Sequence, residues 1–380
     1  MPLARLIITA TFIAGLCLTY MVGRPKMQFP AHKGELAMAL NNNHLGYRQA
    51  DRARRFRFPS DYGAHPRFAH EWWYFTGNLE TYSGRRFGYE LTIFRFALSP
   101  KPVAHESAWQ TNQLYTAHLA LTDAKAKRFY FHQRFSRGAL GLAGARAAPF
   151  KIWVEDWAVS ANAGGRFPWR LQAAVGPMAL DIKVFPVKPL VLQGDRGLDL
   201  KSAQGDASYY YSYTRLKTAG HLRFGRTRFT VSGLSWLDRE WSSGVLAKYQ
   251  TGWDWFALQF DNGADLMFYR LRKQGGATDP YSGGVWIGSG GATASLAYND
   301  VVIKALDYWN SPRGGRYPAR WRLAVPARDC RFTVAPIFAN QELNVWVRYW
   351  EGAVNVKGTC GERAVSGRGY VELTGYAGAL

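Results

Sequence analysis

EWWYFTGNLETYSGRRFGYELTIFRF (71–96) decides the fold: an aromatic run, a turn carrying an acidic residue and Gly, then an aliphatic-aromatic run ending in Arg. Short runs of aromatic and β-branched residues bounded by Gly, Asn and Asp favour strands joined by tight turns. The same plan returns in GWDWFALQFDNGADLMFYRLR (252–272), so the chain reads as two related β units meeting near residues 225 to 240. Further runs are YTAHLALTD (115–123), SYYYSYTRL (208–216) and LNVWVRYWEGAVNV (343–356), and no long amphipathic helix interrupts them. Their spacing of roughly 8–12 residues suits an all-β sandwich or barrel. Strand alternation places Tyr209, Tyr211 and Tyr213 on one face, and sets Glu71 and Trp73 against His70, Trp72 and Tyr74.

With 380 residues, 47% hydrophobic and only 20% charged, disorder and coiled coil are excluded and two folded domains fit. The net charge of +21 invites a nucleic-acid reading. The cations, however, mostly alternate with aromatics, as in Arg320-Trp321-Arg322, which describes solvated strand faces and attraction to an anionic membrane surface. Nucleic acid is therefore not the expected partner.

LIITATFIAGLCLTYMV (6–22) is one apolar run without a charge, at the short limit for a spanning helix and long for the core of a signal peptide. It exports or anchors the chain. No small-x-small cleavage site follows it, and Leu16 before Cys17 is large for a lipidation site, so a retained anchor is expected, with a periplasmic or other extracytoplasmic location. The expected organisation is an anchor (1–23), a basic tether (24–60), an N-terminal domain (61–232) and a C-terminal domain (233–380). Cys330 and Cys360 are the cysteines left for the folded part; a disulfide and two buried thiols both remain open.

No nucleophile elbow, phosphate loop or HExxH motif is present, and the eight His have no metal-ligand spacing. Neither metal nor cofactor is expected. Ionisable groups embedded among aromatics stand out instead: His70-Glu71-Trp72-Trp73-Tyr74, Asp238-Arg239-Glu240-Trp241, Trp253-Asp254-Trp255 and Tyr349-Trp350-Glu351. A carboxyl walled by indoles is desolvated, which raises its pKa and lets it act as an acid near neutrality. The rings also stabilise a developing cation. The structural alternatives are that the charges of Asp238, Arg239 and Glu240 pair with one another, that His118 is a hydrogen-bonded core residue, and that Arg320, Arg322 or Arg348 neutralises Glu351 and Glu372.

HEWWYFTGNL with GYELTIFRF, then GLSWLDREWSS, GWDWFALQFDNGADLMFYRLR, YWEGAVNVKG and GYVELTGY together resemble the AttH / carotenoid 1,2-hydratase (hydroxyneurosporene synthase) superfamily, over about residues 65 to 380. The likeness is greatest to its exported branch, the predicted secreted hydrolases. The resemblance implies two lipocalin-like antiparallel β-barrel domains in tandem. It also implies cofactor-free addition of water to an acyclic isoprenoid in the hydratase branch, and ABC-transporter components as partners. One residue departs from the pattern: hydratase-like members carry a His two places before the Trp matching Trp241, where this chain has Arg239, a group that does not shuttle protons.

The functional expectation is an apolar isoprenoid or lipid-like ligand and acid-base chemistry of hydratase or hydrolase type. The expected catalytic groups are Asp254, Glu240, Asp238, His70 and Glu71. Trp72, Trp73, Trp241, Trp253, Trp255, Tyr211 and Trp350 are the expected ligand-binding residues. A non-catalytic lipid carrier serving an ABC transporter and a carbohydrate-active protein are the alternatives.

Overall fold

In the computed structural model, residues 45–101, 107–162, 165–244 and 246–377 are described. The expected anchor at 1–23 and Cys17 lie outside them. No helix among the described residues is long and apolar enough to cross a membrane.

Two antiparallel sheets account for the fold. The first contains β1 (His70–Glu80), β2 (Arg86–Ala97), β3 (Gln113–Asp123), β4 (Arg128–Arg137), β5 (Ala143–Ala147), β6 (Phe150–Val154) and β7 (Trp157–Ser160). It continues with β8 (Trp169–Val175), β9 (Met178–Pro186), β10 (Val191–Leu192), β11 (Leu198–Leu200), β12 (Ala207–Phe224) and β13 (Thr227–Ser242). The second contains β14 (Gln250–Phe260), β15 (Asp265–Lys273), β16 (Gly283–Ile287), β17 (Thr293–Ala297) and β18 (Val302–Asn310). It is completed by β19 (Arg316–Val325), β20 (Cys330–Pro336), β21 (Glu342–Asn344), β22 (Arg348–Cys360) and β23 (Arg363–Leu373).

Both sheets are wound alike. The first runs β4-β3-β2-β1-β13-β12-β9-β8-β7-β6-β5, with β10 and β11 also on β12. The second runs β17-β16-β15-β14-β23-β22-β20-β19-β18, with β21 on β22. In each, the opening strand is bonded both to its hairpin partner and to the closing strand, which curls the sheet into a lipocalin-like near-barrel or half-barrel. The two similar sequence stretches are the opening hairpins β1-β2 and β14-β15.

Alternation sorts the side chains of these strands. Trp73, Phe75 and Leu79 of β1 join Tyr89, Leu91, Tyr209, Tyr211, Leu237 and Trp241 inside the first sheet. Phe256, Leu258, Trp321, Trp350, Val354 and Leu373 fill the second. A third apolar layer lies between the sheets and includes Tyr74, Tyr210, Trp236, Trp255, Tyr269 and Tyr370. Each large apolar side chain so buried contributes roughly 1.5–3 kcal/mol. Close contact of the sheets needs Gly88, since a Cβ there would come within 2.6 Å of the Ala353 methyl.

Three details depart from the sequence reading. Strand β13 runs unbroken across the 232/233 boundary, so the second half starts at Gln250. LNVWVRYWEGAVNV splits into β21 and β22, and in the intervening loop Trp346 packs on Phe96 and Phe135 of the first sheet. Residues 45–60 of the expected tether lie on the first barrel. Ala50 is buried, Arg54 pairs with Asp61, and Phe56 packs against Tyr209, Tyr211 and Trp241. Period-two alternation in RFRFP supplies these ring contacts, a pattern hidden by its cluster of charge. Cys330 and Cys360, opposite one another on β20 and β22, form a disulfide.

Candidate functional site

Register builds the site on the face of the first sheet turned toward the second. One row across neighbouring strands is His118, Thr92, Tyr74, Asp238 and Ser212; the next is Thr116, Phe94, Trp72, Glu240 and Tyr210. Opposite them the second sheet offers the row Tyr269, Trp255, Glu372 and Glu351. Leu271, Trp253 and Tyr349 stand beside this row on the same face. Between the faces lies a half-open hollow of about 110 Å³ lined by Trp72, Phe94, Trp253 and Trp255, with Asp238, Glu240, Glu351 and Glu372 on its walls.

Each acid has a distinct setting. Asp238 accepts hydrogen bonds from Tyr210, Ser212 and the Trp236 indole (2.7 Å). Burial nevertheless pushes its pKa up to about 7, against the pull of those donors. Among the described residues no cation pairs with Glu372; burial raises it to about 8 against the pull of a hydrogen bond with Trp253, with the charges of Asp238 and Glu240 adding to the rise. Glu351 accepts from the Tyr74 hydroxyl (3.0 Å) and is raised well above the usual range by burial and then by Glu372 and Glu90. The Lys201 ammonium lies 3.5 Å from Glu240, is paired to Asp199, and sits 4.1 Å from the centre of the Tyr269 ring. Burial pushes Glu240 up, and Lys201 draws it back without reversing the shift.

The structure divides the expected residues into two sets. Asp238, Glu240, Trp72, Trp253 and Trp255 line the hollow. Asp254, flanked by two of those tryptophans, points the opposite way by alternation, toward Arg270 (3.0 Å), Arg272 (3.1 Å) and Tyr376 (2.9 Å). Glu71 lies inside the first barrel, bound by Arg95, Arg239 and His65. The guanidiniums hold its carboxyl far below the usual range despite burial. Asp254 and Glu71 are thus neutralised structural acids. His70 is buried with its ring against Phe96, outside the lining set. Trp73, Trp241, Tyr211 and Trp350 fill the two barrel interiors.

The Arg239 guanidinium makes its ion pair with Glu71 rather than with the carboxyls of Asp238 and Glu240, touching Glu240 only at its backbone carbonyl (3.1 Å). It donates to the Gly63 carbonyl (2.6 Å) and stacks on Trp73 (3.8 Å) and Trp241 (5.0 Å) within the first barrel. Arg239, the residue found where the resemblance leads one to expect a His, is therefore not among the residues that line the hollow. Among the described residues no ion pair joins Arg320, Arg322 or Arg348 to Glu351 or Glu372; Arg320 pairs with Asp307, and Arg348 donates to the carbonyls of Arg313 and Ala377. Sequence reasoning missed Lys201, Tyr210 and Tyr269. Lys201 lies in an irregular segment with no motif, and the tyrosines are distinguished from core residues only by strand parity. Among the described residues, no group of three or more His, Cys, Asp or Glu is arranged to hold a metal.

The two curled sheets and the acid-lined hollow between them define a tandem lipocalin-like protein. The model of the AttH-like family matches residues 49–376, and the chain belongs to that family. A crystal structure described as an AttH from Nitrosomonas europaea is 30% identical, covering 87% of this chain and 99% of its own, with a TM-score of 0.76. Kievitone hydratase from Nectria haematococca shares the fold at 14% identity and a TM-score of 0.65, covering 87% of this chain and 96% of its own. CghA does so at 14% and 0.51, covering 88% and 96%. No curated protein matches the chain by sequence.

Proposed function

We propose that this protein binds an apolar isoprenoid or lipid-like alkene between its sheets and adds water to it by acid-base chemistry alone. One observation carries the reading: four carboxyl groups share an aromatic-walled hollow in which Lys201 is the one ammonium among the lining residues. Environments that push carboxyl pKa values apart divide acid from base. Glu372, at about 8, holds its proton at neutral pH. Asp238, at about 7 and surrounded by three donors, is the group that accepts one.

In the reaction, the alkene π pair takes the Glu372 proton and one carbon gains a C–H bond. The cation left on the other carbon faces the rings of Trp72, Trp253 and Trp255. A water oxygen bonds to that carbon and gives its surplus proton to Asp238; transfer of this proton back to Glu372 restores the site. The fold shared with a hydratase agrees with this chemistry, and an ester would be hydrolysed by the same acid and base. The anchor expected at 6–22 would set the site beside the membrane that supplies such a ligand, and ABC-transporter components would be its neighbours there.

The test incubates the protein with acyclic isoprenoids and follows the gain of one water by mass spectrometry. Glu372→Gln and Asp238→Asn should each lower turnover roughly 10²–10⁴-fold with native circular dichroism. Turnover should rise through about pH 7 as Asp238 ionises and fall through about pH 8 as Glu372 does. Undiminished turnover in both variants removes this mechanism, and ligand retained unaltered by the wild type marks a carrier.

A further inference from the structure

The geometry points to a second polar site in the same hollow: His118, held by Tyr349, donates a hydrogen bond to an uncharged oxygen that the ligand carries at the end remote from Asp238. The assignment rests on the reading of the hollow as an apolar-ligand site and adds a substrate class to it, an elongated isoprenoid alcohol or aldehyde rather than a hydrocarbon or a carboxylate.

Strand β3 is apolar around His118, and the residue is only 2% exposed, yet it lines the hollow. Its Nδ1 lies 2.6 Å from the Tyr349 hydroxyl. That phenol reaches no other acceptor among the described residues, so it donates to Nδ1, and the imidazole proton then resides on Nε2. No protein group among the described residues accepts from Nε2. A buried donor left without an acceptor is costly, and an oxygen on the ligand satisfies it. Burial drives the imidazole pKa down to about 3, so the ring is neutral and has no charge with which to attract an anion. The four carboxyl groups on the walls oppose an anion further.

His118 and Asp238 occupy one register row, three strand spacings apart through Thr92 and Tyr74. That is about 14 Å at the usual strand separation. A ligand anchored by its oxygen at His118 and extended along this row presents its far alkene to Asp238 and, across the hollow, to Glu372.

Equilibrium dialysis of the full chain with farnesol, farnesene and farnesoate, quantified by mass spectrometry, tests the assignment. Wild type should bind farnesol about tenfold more tightly than farnesene, the increment expected of one hydrogen bond, and should bind farnesoate most weakly at pH 8. His118→Phe should remove the farnesol preference while keeping farnesene affinity, which shows that the cavity is intact. Tyr349→Phe, which keeps the imidazole but frees its tautomer, should reduce the preference to an intermediate value and serves alone if the first variant does not fold. Equal wild-type affinity for farnesol and farnesene, or a preference surviving the substitution, overturns this assignment and leaves the apolar-ligand reading standing. Failure of all three probes to bind overturns both.

Discussion

Two regions of this molecule place carboxyl groups among tryptophans, with opposite results. Inside the first barrel, Glu71 shares its space with Trp73 and Trp241 and meets two guanidiniums, those of Arg95 and Arg239. Between the sheets, Glu351 and Glu372 stand beside Trp253 and Trp255, and among the described residues that line the hollow the one fixed cation is Lys201, which lies at Glu240. The first carboxyl is driven down and the others are driven up. Aromatic burial alone therefore does not fix the direction of the shift; two guanidiniums bound directly to Glu71 outweigh its desolvation, whereas the single Lys201 beside Glu240 does not. Strands β1 and β13 carry both regions at once, one residue apart, on their two faces.

The strongest test of this contrast removes the interior charge. Glu71→Gln leaves two buried guanidiniums facing one another and should cost about 3–5 kcal/mol in urea unfolding, whereas Glu372→Gln, a neutral isostere of a neutral group, should cost little at pH 6. A smaller effect is the opposite dependence on pH. Glu71, depressed when folded, contributes stability above its ordinary value of 4.5 that is lost as pH falls. Glu372, raised when folded, contributes stability in full below 4.5 that is lost as pH rises to about 8. Over that window wild-type stability should fall more steeply than that of Glu372→Gln by up to about 1.4 kcal/mol per pH unit; parallel curves would show that Glu372 is not raised. The smallest effect expected is that of Arg239→Lys. It keeps the charge, loses the stacking on two indoles, and should destabilise by about 1 kcal/mol while ligand affinity in the hollow stays unchanged.

The hairpin repeat and the parity of SYYYSYTRL were legible in the sequence because strand period and turn chemistry are local. Tyr209, Tyr211 and Tyr213 do share the barrel interior. The site was legible only where parity was followed through. Asp254, between two cavity tryptophans, had to face away from them, and Arg239 had to face away from Asp238 and Glu240. The pairing of His118 with Tyr349 and of Tyr74 with Glu351 joins residues far apart in the chain. Such encounters depend on how one sheet seats on the other, for which no local pattern exists. His118, read as a hydrogen-bonded core residue, does have a buried partner, but its second ring nitrogen has none among the described residues.

Strand β13, which closes the first sheet by pairing His70 with Ser242, also delivers Asp238 and Glu240. Until that late segment leaves the ribosome, the backbone edge of β1 stays unpaired, a long-range closure of the kind that slows folding and invites intermolecular strand addition. The same closure supplies half of the acidic wall, so a nascent or truncated chain stopping short of it would have neither a sealed edge nor Asp238 and Glu240 in place. Assembly of the hollow thus follows chain order, with Asp238 and Glu240 set by β13 and Glu351 and Glu372 added only with β22 and β23.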